Sequence, residues 1–235
     1  MTKPKGKSIT TRPYSIILPA HNEAEFIEGV LAAACGTNAE EIVVVDDGST
    51  DATAEKVLVF CKKNKEKRLR LIRHEQNQGY GGAWKTGIRE TRTRILVFFD
   101  SDIQTATPAK IEKLALPILE GRVDYVIGAF TNFGRITEYL ARPLLNQFVP
   151  RLGRLKQPLS GLVGARREFL FPERMAKGYA NLGVLLDAYF AGARIEEVDL
   201  GEIIHDKRLD EEKYQQAAQE CRIFFERVIE RRLRY

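Results

Sequence analysis

The residues able to do chemistry gather at the ends of apolar runs. Asp100-Ser101-Asp102 closes the most apolar run of the chain, residues 94–100 (RILVFFD). Two carboxylates one residue apart can hold a hard divalent cation, which takes oxygen ligands. Such a cation would neutralise a diphosphate as charge develops on its leaving oxygen. A D-x-D tripeptide is also an ordinary acidic loop or helix cap, so alone it separates nothing. Asp46-Asp47-Gly48-Ser49-Thr50-Asp51 ends a second run and is a sound turn and helix start. A carboxylate there can also accept hydrogen bonds from a ribose or a base edge. Pro19-Ala20-His21-Asn22-Glu23 ends the first run. Gly79-Tyr80-Gly81-Gly82-Ala83 opens a helix whose backbone N–H groups can face a phosphate. Lys85 and Arg89 on that helix read equally as solvated surface. His205 follows a late strand and can reach back to the same rim. His74 falls in a loop and is assigned no role.

The elements that position these groups show two alternating periods. Branched apolar runs at 14–19, 41–46, 69–73, 94–100 and 124–129 read as buried strands. Helical spacing fills 22–35, 51 to about 63, 79–92 and 108 to about 120. Ser49 or Thr50 is expected to cap the second of these helices. Pro108 suits the first turn of the fourth. This alternation implies an α/β fold, a mostly parallel sheet with helices on both faces. Such sheets bind ligands beyond the carboxyl ends of their strands, where these acids and amides stand. The second half is less regular. Residues 135–150 are amphipathic and interrupted by Pro143, and 156–169 mix turn residues with small apolar ones. Residues 183–190 read as a helix, 194–200 as a strand, and 210–234 as a long charged amphipathic helix.

Composition excludes several classes. The 235 residues carry 37 Lys and Arg against 32 Asp and Glu, a net charge of +5, and 44% are hydrophobic. That balance excludes disorder, collagen and disulfide scaffolds. No apolar run approaches the roughly 18 residues of a membrane span. Residues 1–12 read as a loose Lys/Thr-rich tail without a signal-peptide core. Cys35, Cys61 and Cys221 have no C-x-x-C spacing, which points to a reduced, cytoplasmic protein with core thiols. The basic excess suits anionic partners and is too small to argue for nucleic acid.

Taken together, PAHNE at 19–23, VVVDDGSTD at 43–51, NQGYGGAWKTGI at 77–88 and FFDSD at 98–102 resemble nucleotide-sugar glycosyltransferases of the GT-A fold. In the second half, Gly134-Arg135-Ile136-Thr137-Glu138, Ala141-Arg142-Pro143-Leu144-Leu145, Gln157-Pro158-Leu159-Ser160-Gly161 and His205 resemble glucosyl-3-phosphoglycerate synthases. The resemblance implies a single GT-A domain over 13–235. It would comprise a nucleotide-sugar half at 13–129, an acceptor half at 130–208 and a C-terminal helix at 209–235. It implies transfer of a hexose, glucose above all, from a UDP- or GDP-linked donor to a small anionic acceptor such as 3-phosphoglycerate. The anomeric configuration would be retained and Mg²⁺ or Mn²⁺ required. Ala20, Asn22, Glu23 and Asp47 would contact the nucleoside. Asp100, Ser101 and Asp102 would surround ribose, diphosphate and metal, with Asp102 and His205 as metal ligands. Gly79, Tyr80 and Gly161 would line the donor site. Arg135 and Thr137 would bind the acceptor, where a guanidinium suits phosphate and carboxylate alike; Lys207 could add positive charge for the same anion, a reading from its charge alone.

Three residues depart from that pattern. Tyr80 stands where the family has a Lys, Leu162 where a Glu is expected near the sugar, and Lys207 where an Asn follows the His. Two alternatives stay open at this level: an inverting polyprenyl-phosphate glycosyltransferase, and a nucleotide-binding protein without transferase activity. The basic C-terminal helix could lie on a membrane surface, or pack on the body with a solvated basic face. No integral membrane segment is expected, and a homodimer stays open.

Overall fold

A computed structural model describes residues 13–131, 134–175, 178, 181–205 and 210–233. Its centre is one seven-stranded sheet formed by β1 (Tyr14–Ala20), β2 (Glu41–Asp46), β3 (Leu69–Arg73), β4 (Ile95–Phe98), β5 (Tyr125–Ala129), β6 (Val163–Arg166) and β7 (Ile195–Asp199). The strand order is β3-β2-β1-β4-β6-β5-β7. All neighbours run parallel except β6, which is antiparallel to both β4 and β5. The first half behaves as its pattern predicts. Val43, Val44 and Val45 of β2 and all four residues of β4 are buried, as expected of strands covered on both faces.

The helices are α1 (Ile27–Cys35), α2 (Thr53–Asn64), α3 (Tyr80–Glu90), α4 (Pro108–Leu119), α5 (Arg142–Phe148), α6 (Asn181–Phe190) and α7 (Asp210–Leu233). Two apolar clusters sandwich the sheet. One holds Ile17, Trp84, Phe98 and Phe224, the other Ile16, Leu31, Val44 and Ile111. Trp84 stacks on Phe98 with ring centroids 3.8 Å apart, locking α3 onto β4 by about 1 kcal/mol beyond area burial.

Several local expectations are corrected. The first helix starts at Ile27, because Asn22 adopts a left-handed φ of 60° and the chain turns before it can coil. Neither Ser49 nor Thr50 caps the second helix, which begins at Thr53. Asp51 does the local work instead, its Oδ1 accepting from the Thr53 backbone N–H at 2.9 Å. The Ser49 hydroxyl accepts from the Asn22 backbone N–H at 2.9 Å. Residues 156–169 conceal the antiparallel strand β6. The amphipathic stretch at 135–150 contains a π-helical turn (Thr137–Ala141) followed by α5, with Pro143 in the first turn of α5.

The C-terminal helix packs against α6, burying Ile223, Phe224 and Val228. Arg227 is itself buried, with its Nε 2.9 Å from Asp187. Among the described residues no helix is long and apolar enough to cross a membrane.

Candidate active site

The strand order reverses between β1 and β4, and that reversal opens a crevice beyond their carboxyl ends. β1 delivers His21, Asn22 and Glu23 there, and β4 delivers Asp100, Ser101 and Asp102. The Asn22 amide oxygen accepts from the Thr50 backbone N–H at 2.9 Å and so ties the loop after β1 to the loop after β2.

Asp47 is the pivot beneath this loop pair and is only 3% exposed. Its Oδ1 lies 2.6 Å from His74 Nδ1 and accepts from the Gln78 backbone N–H at 2.8 Å. His74 Nε2 lies 2.8 Å from the Thr86 hydroxyl. His74, given no role by the sequence, is thus the buried link between β2 and α3. His74→Ala is expected to lower stability by roughly 1–3 kcal/mol, the usual cost of leaving a buried polar partner unsatisfied. Urea unfolding reads this directly, and an unchanged midpoint would show that the link contributes nothing.

A cavity of about 600 Å³ lies on the β4 side. Asp100, Asp102, Arg135, Thr137, Gly161 and His205 all line it, so elements far apart in sequence bring six of the expected site residues to one space. Thr137 is 4% exposed. His205 packs edge-on against Phe130 at 6.2 Å. Ala20, Asn22, Glu23, Asp47 and Gly79 lie at the ends of β1 and β2 and the start of α3, outside this lining. Ser101 is buried beside it, its hydroxyl without a hydrogen-bond partner. Lys207 lies outside the described residues.

Tyr80 reaches the site from α3, its hydroxyl donating to Asp100 Oδ1 at 2.7 Å. The aromatic residue that departs from the family pattern therefore holds the first D-x-D carboxylate. Gly161 faces both groups. A Cβ there would meet the Tyr80 hydroxyl and stand 2.7 Å from Asp100 Oδ2, so only glycine leaves this corner open.

Sequence reasoning missed Asn181, which starts α6 and lines the cavity at 8% exposed. Its Nδ2 donates to the Leu159 carbonyl at 2.9 Å. That bond fixes the amide, and the buried Oδ1 has no hydrogen-bond partner. The residue borders the cavity while this oxygen is closed off from solvent. The signal was an Asn at a helix start, which also reads as an ordinary cap.

Asp187 does not join the site. It sits between Arg174 and Arg227, each 2.9 Å away, on the far side of α6. Burial pushes its carboxyl up, against the two guanidinium groups that pull it down.

The sheet order, the acidic rim and the shared cavity define a nucleotide-sugar transferase of the GT-A class. The glycosyl transferase family 2 pattern matches residues 15–172. The chain belongs to that family and is a glycosyltransferase. It is 32% identical over 223 residues to glucosyl-3-phosphoglycerate synthase of Mycobacterium tuberculosis, covering 85% of this chain and 69% of the relative. The crystal structure of that M. tuberculosis synthase with Mn²⁺, UDP-glucose and phosphoglyceric acid superposes with a TM-score of 0.83 at 31% identity. The superposition covers 92% of this chain and 80% of the other. A UDP-N-acetylglucosamine–dolichyl-phosphate N-acetylglucosaminyltransferase of Methanococcus voltae is 35% identical over 127 residues, 48% of this chain and 50% of the relative.

Proposed function

We propose that the chain transfers a hexose, glucose above all, from a UDP- or GDP-linked donor to a small anionic acceptor of the phosphoglycerate class. The observation that carries this reading is the single cavity shared by the D-x-D carboxylates, His205, Arg135 and Thr137. Domain limits of 13–235, with the acceptor half at 130–208, belong to the same proposal. So does a cytoplasmic setting, which the three free cysteines suit.

Asp102 and His205 would hold a divalent cation, Mg²⁺ or Mn²⁺. The donor set fits: a carboxylate and an imidazole line one cavity. Among the described residues no cluster of three or more His, Cys, Asp or Glu exists to enclose the ion. Two protein ligands leave positions for diphosphate oxygens and water, as Mg²⁺ sites usually do. When bound, the cation stabilises the charge developing on the diphosphate leaving group. Asp100, held by Tyr80, orients the donor. Ala20, Asn22, Glu23, Asp47 and Gly79 border the nucleoside, and Ser101 offers its hydroxyl to it. Arg135 and Thr137 take the acceptor anion.

A screen of UDP- and GDP-hexoses against 3-phosphoglycerate with Mg²⁺ or Mn²⁺ tests the reading. Arg135→Ala is expected to raise the acceptor KM by roughly tenfold or more, the worth of a charge-assisted bidentate contact. Nucleotide affinity should change little, and Arg135→Lys should recover only part of the loss. Equal losses in nucleotide and acceptor binding would assign Arg135 to the donor or the fold. Activity with a polyprenyl phosphate alone would replace the small-anion acceptor.

Retention belongs to the same proposal. An inverting enzyme needs a base aimed at the acceptor hydroxyl, usually a carboxylate. Asp100 and Asp102 are the only carboxylates on the described cavity lining, and Asp187 is held away in its arginine cluster. Proton NMR of product formed from an α-linked donor is expected to show an α linkage. A β product would mark an inverting enzyme.

A further inference from the structure

Helix α7 is 24 residues long, about 36 Å at the α-helical rise. Its inner face carries Ile223, Phe224 and Val228, all buried against the body. Its outer face is also apolar. Among the described residues, four of the nine exposed large hydrophobic side chains stand on this one helix: Tyr214 at 78%, Phe225 at 38%, Ile229 at 53% and Leu233 at 81% exposed. Ala218 and Cys221 complete the series. The steps between these six positions are four, three, four, four and four residues, which keeps them on one side of the helix. Scattered exposed apolar residues are ordinary, whereas a continuous stripe marks an interaction surface. Phe148 of α5 lies edge-on to Phe225 at 6.0 Å and widens the stripe. The Arg232 guanidinium lies over the Phe148 ring at 5.5 Å, which holds that charge against the body at the margin of the stripe.

The charges beside the stripe select what fits it. The described exposed side chains of α7 include Arg222 and Arg232 against Glu211, Glu226 and Glu230. That net negative balance disfavours an anionic lipid surface. It suits a second copy of the same helix. In a two-fold pair one patch meets itself, so residue i faces j and j faces i. Parallel helices would set Arg222 against Arg222 and Glu226 against Glu226. Antiparallel helices crossing near position 224 set each Arg222 against the partner's Glu226, twice over. Within one chain these two are loosely joined, at 3.8 Å with both side chains more than half exposed, so each can turn to a partner. We propose that the outer face of α7 is the interface of a homodimer, its two α7 helices packed antiparallel along the stripe. Tyr214 also lines the cavity, so the paired helices border the active site. The pairing does not depend on which acceptor is used.

Sedimentation equilibrium of the full chain across micromolar concentrations reads the pairing. Two helices meeting along their length make a modest interface, so a dimer with a Kd of roughly 1–50 µM is expected. Ile229→Glu and Phe225→Glu are each expected to raise that Kd by roughly a hundredfold, the cost of placing a charge in an apolar contact. Circular dichroism melts show that each variant folds, and Ile229, with over half its surface in solvent, is the safer of the two. Arg222→Glu is expected to raise the Kd roughly tenfold, and Arg222→Glu/Glu226→Arg to restore it, because the swap rebuilds the crossed pairs. A monomer at every concentration overturns the proposal. A dimer that the folded Ile229→Glu variant retains overturns the choice of face. An Arg222→Glu dimer as tight as the wild type, or a swap that fails to restore it, overturns the antiparallel register. A monomer that sediments with phosphatidylserine vesicles, and ceases to do so in Ile229→Glu, assigns the stripe to a lipid surface and overturns the dimer.

Discussion

Asp102→Ala is expected to lower turnover by roughly two or more orders of magnitude, the scale of losing a major electrostatic stabiliser at a site of developing charge. Asp102 lies four residues beyond the end of β4 and lines the cavity with Asp100 and His205. The leaving group is a nucleoside diphosphate, whose negative charge grows as the glycosidic bond breaks. With Asp102 gone, the cation would keep one protein ligand, and its occupancy should fall with the rate. His205→Ala is expected to weaken Mn²⁺ binding with less effect on nucleotide bound in the absence of metal. Turnover against Mn²⁺ concentration for both variants checks this. Full activity in EDTA, or in Asp102→Ala, would remove the metal from the mechanism. Asn is the informative intermediate, because it keeps an oxygen and loses the charge.

How much of this was legible in the sequence follows from the range of the forces involved. β1, β2 and β4 are buried on both faces, so their apolar runs are continuous and announce themselves. The acids that follow them are placed by strand direction alone, so the D-x-D rim was visible without coordinates. β6 was not. Its four residues, Val163-Gly164-Ala165-Arg166, are short and small, and they pair antiparallel with strands about 40 to 70 positions away. A Cβ at Gly164 would collide with the Leu114 carbonyl of α4, so the residue that looked like a turn former is a packing requirement of the sheet. His74 escaped for a similar reason. Its tie to Asp47 depends on β3 lying parallel to β2 in a register that brings its backbone N–H to the Asp46 carbonyl at 2.9 Å. No local pattern encodes that. The family resemblance supplied Thr137, and the structure adds why it is both buried and accessible to the cavity. Asn181 needed the third dimension, because only its bond to the Leu159 carbonyl shows that its amide braces the cavity wall.

Gly161→Ala is expected to reduce turnover by roughly tenfold to a hundredfold while the protein stays folded. Gly161 does not have a left-handed φ, so alanine fits its backbone and the effect is steric. The added methyl would press on the Tyr80 hydroxyl and on both Asp100 oxygens, at 2.7 and 2.9 Å. Neither group can retreat cheaply. The Tyr80 ring lies 5.4 Å from Trp84, which is itself stacked on Phe98. Asp100 follows Phe99, which is fully buried. The 2.7 Å bond between Tyr80 and Asp100 must therefore lengthen, and the first D-x-D carboxylate leaves its position. Displacements of about 1 Å at a reacting centre cost on the order of a hundredfold. Tyr80→Phe removes the hydroxyl and makes room for the methyl, so its loss and that of Gly161→Ala should not add. The double variant is expected to be more active than the product of the two single losses allows. Measuring kcat and the donor KM for all three variants, with thermal melts alongside, separates misplacement of Asp100 from unfolding. Wild-type turnover in Gly161→Ala would mean that the close contact of Tyr80, Asp100 and Gly161 is not the working arrangement. Additive losses would mean that Tyr80 acts on the donor by itself and not through Asp100.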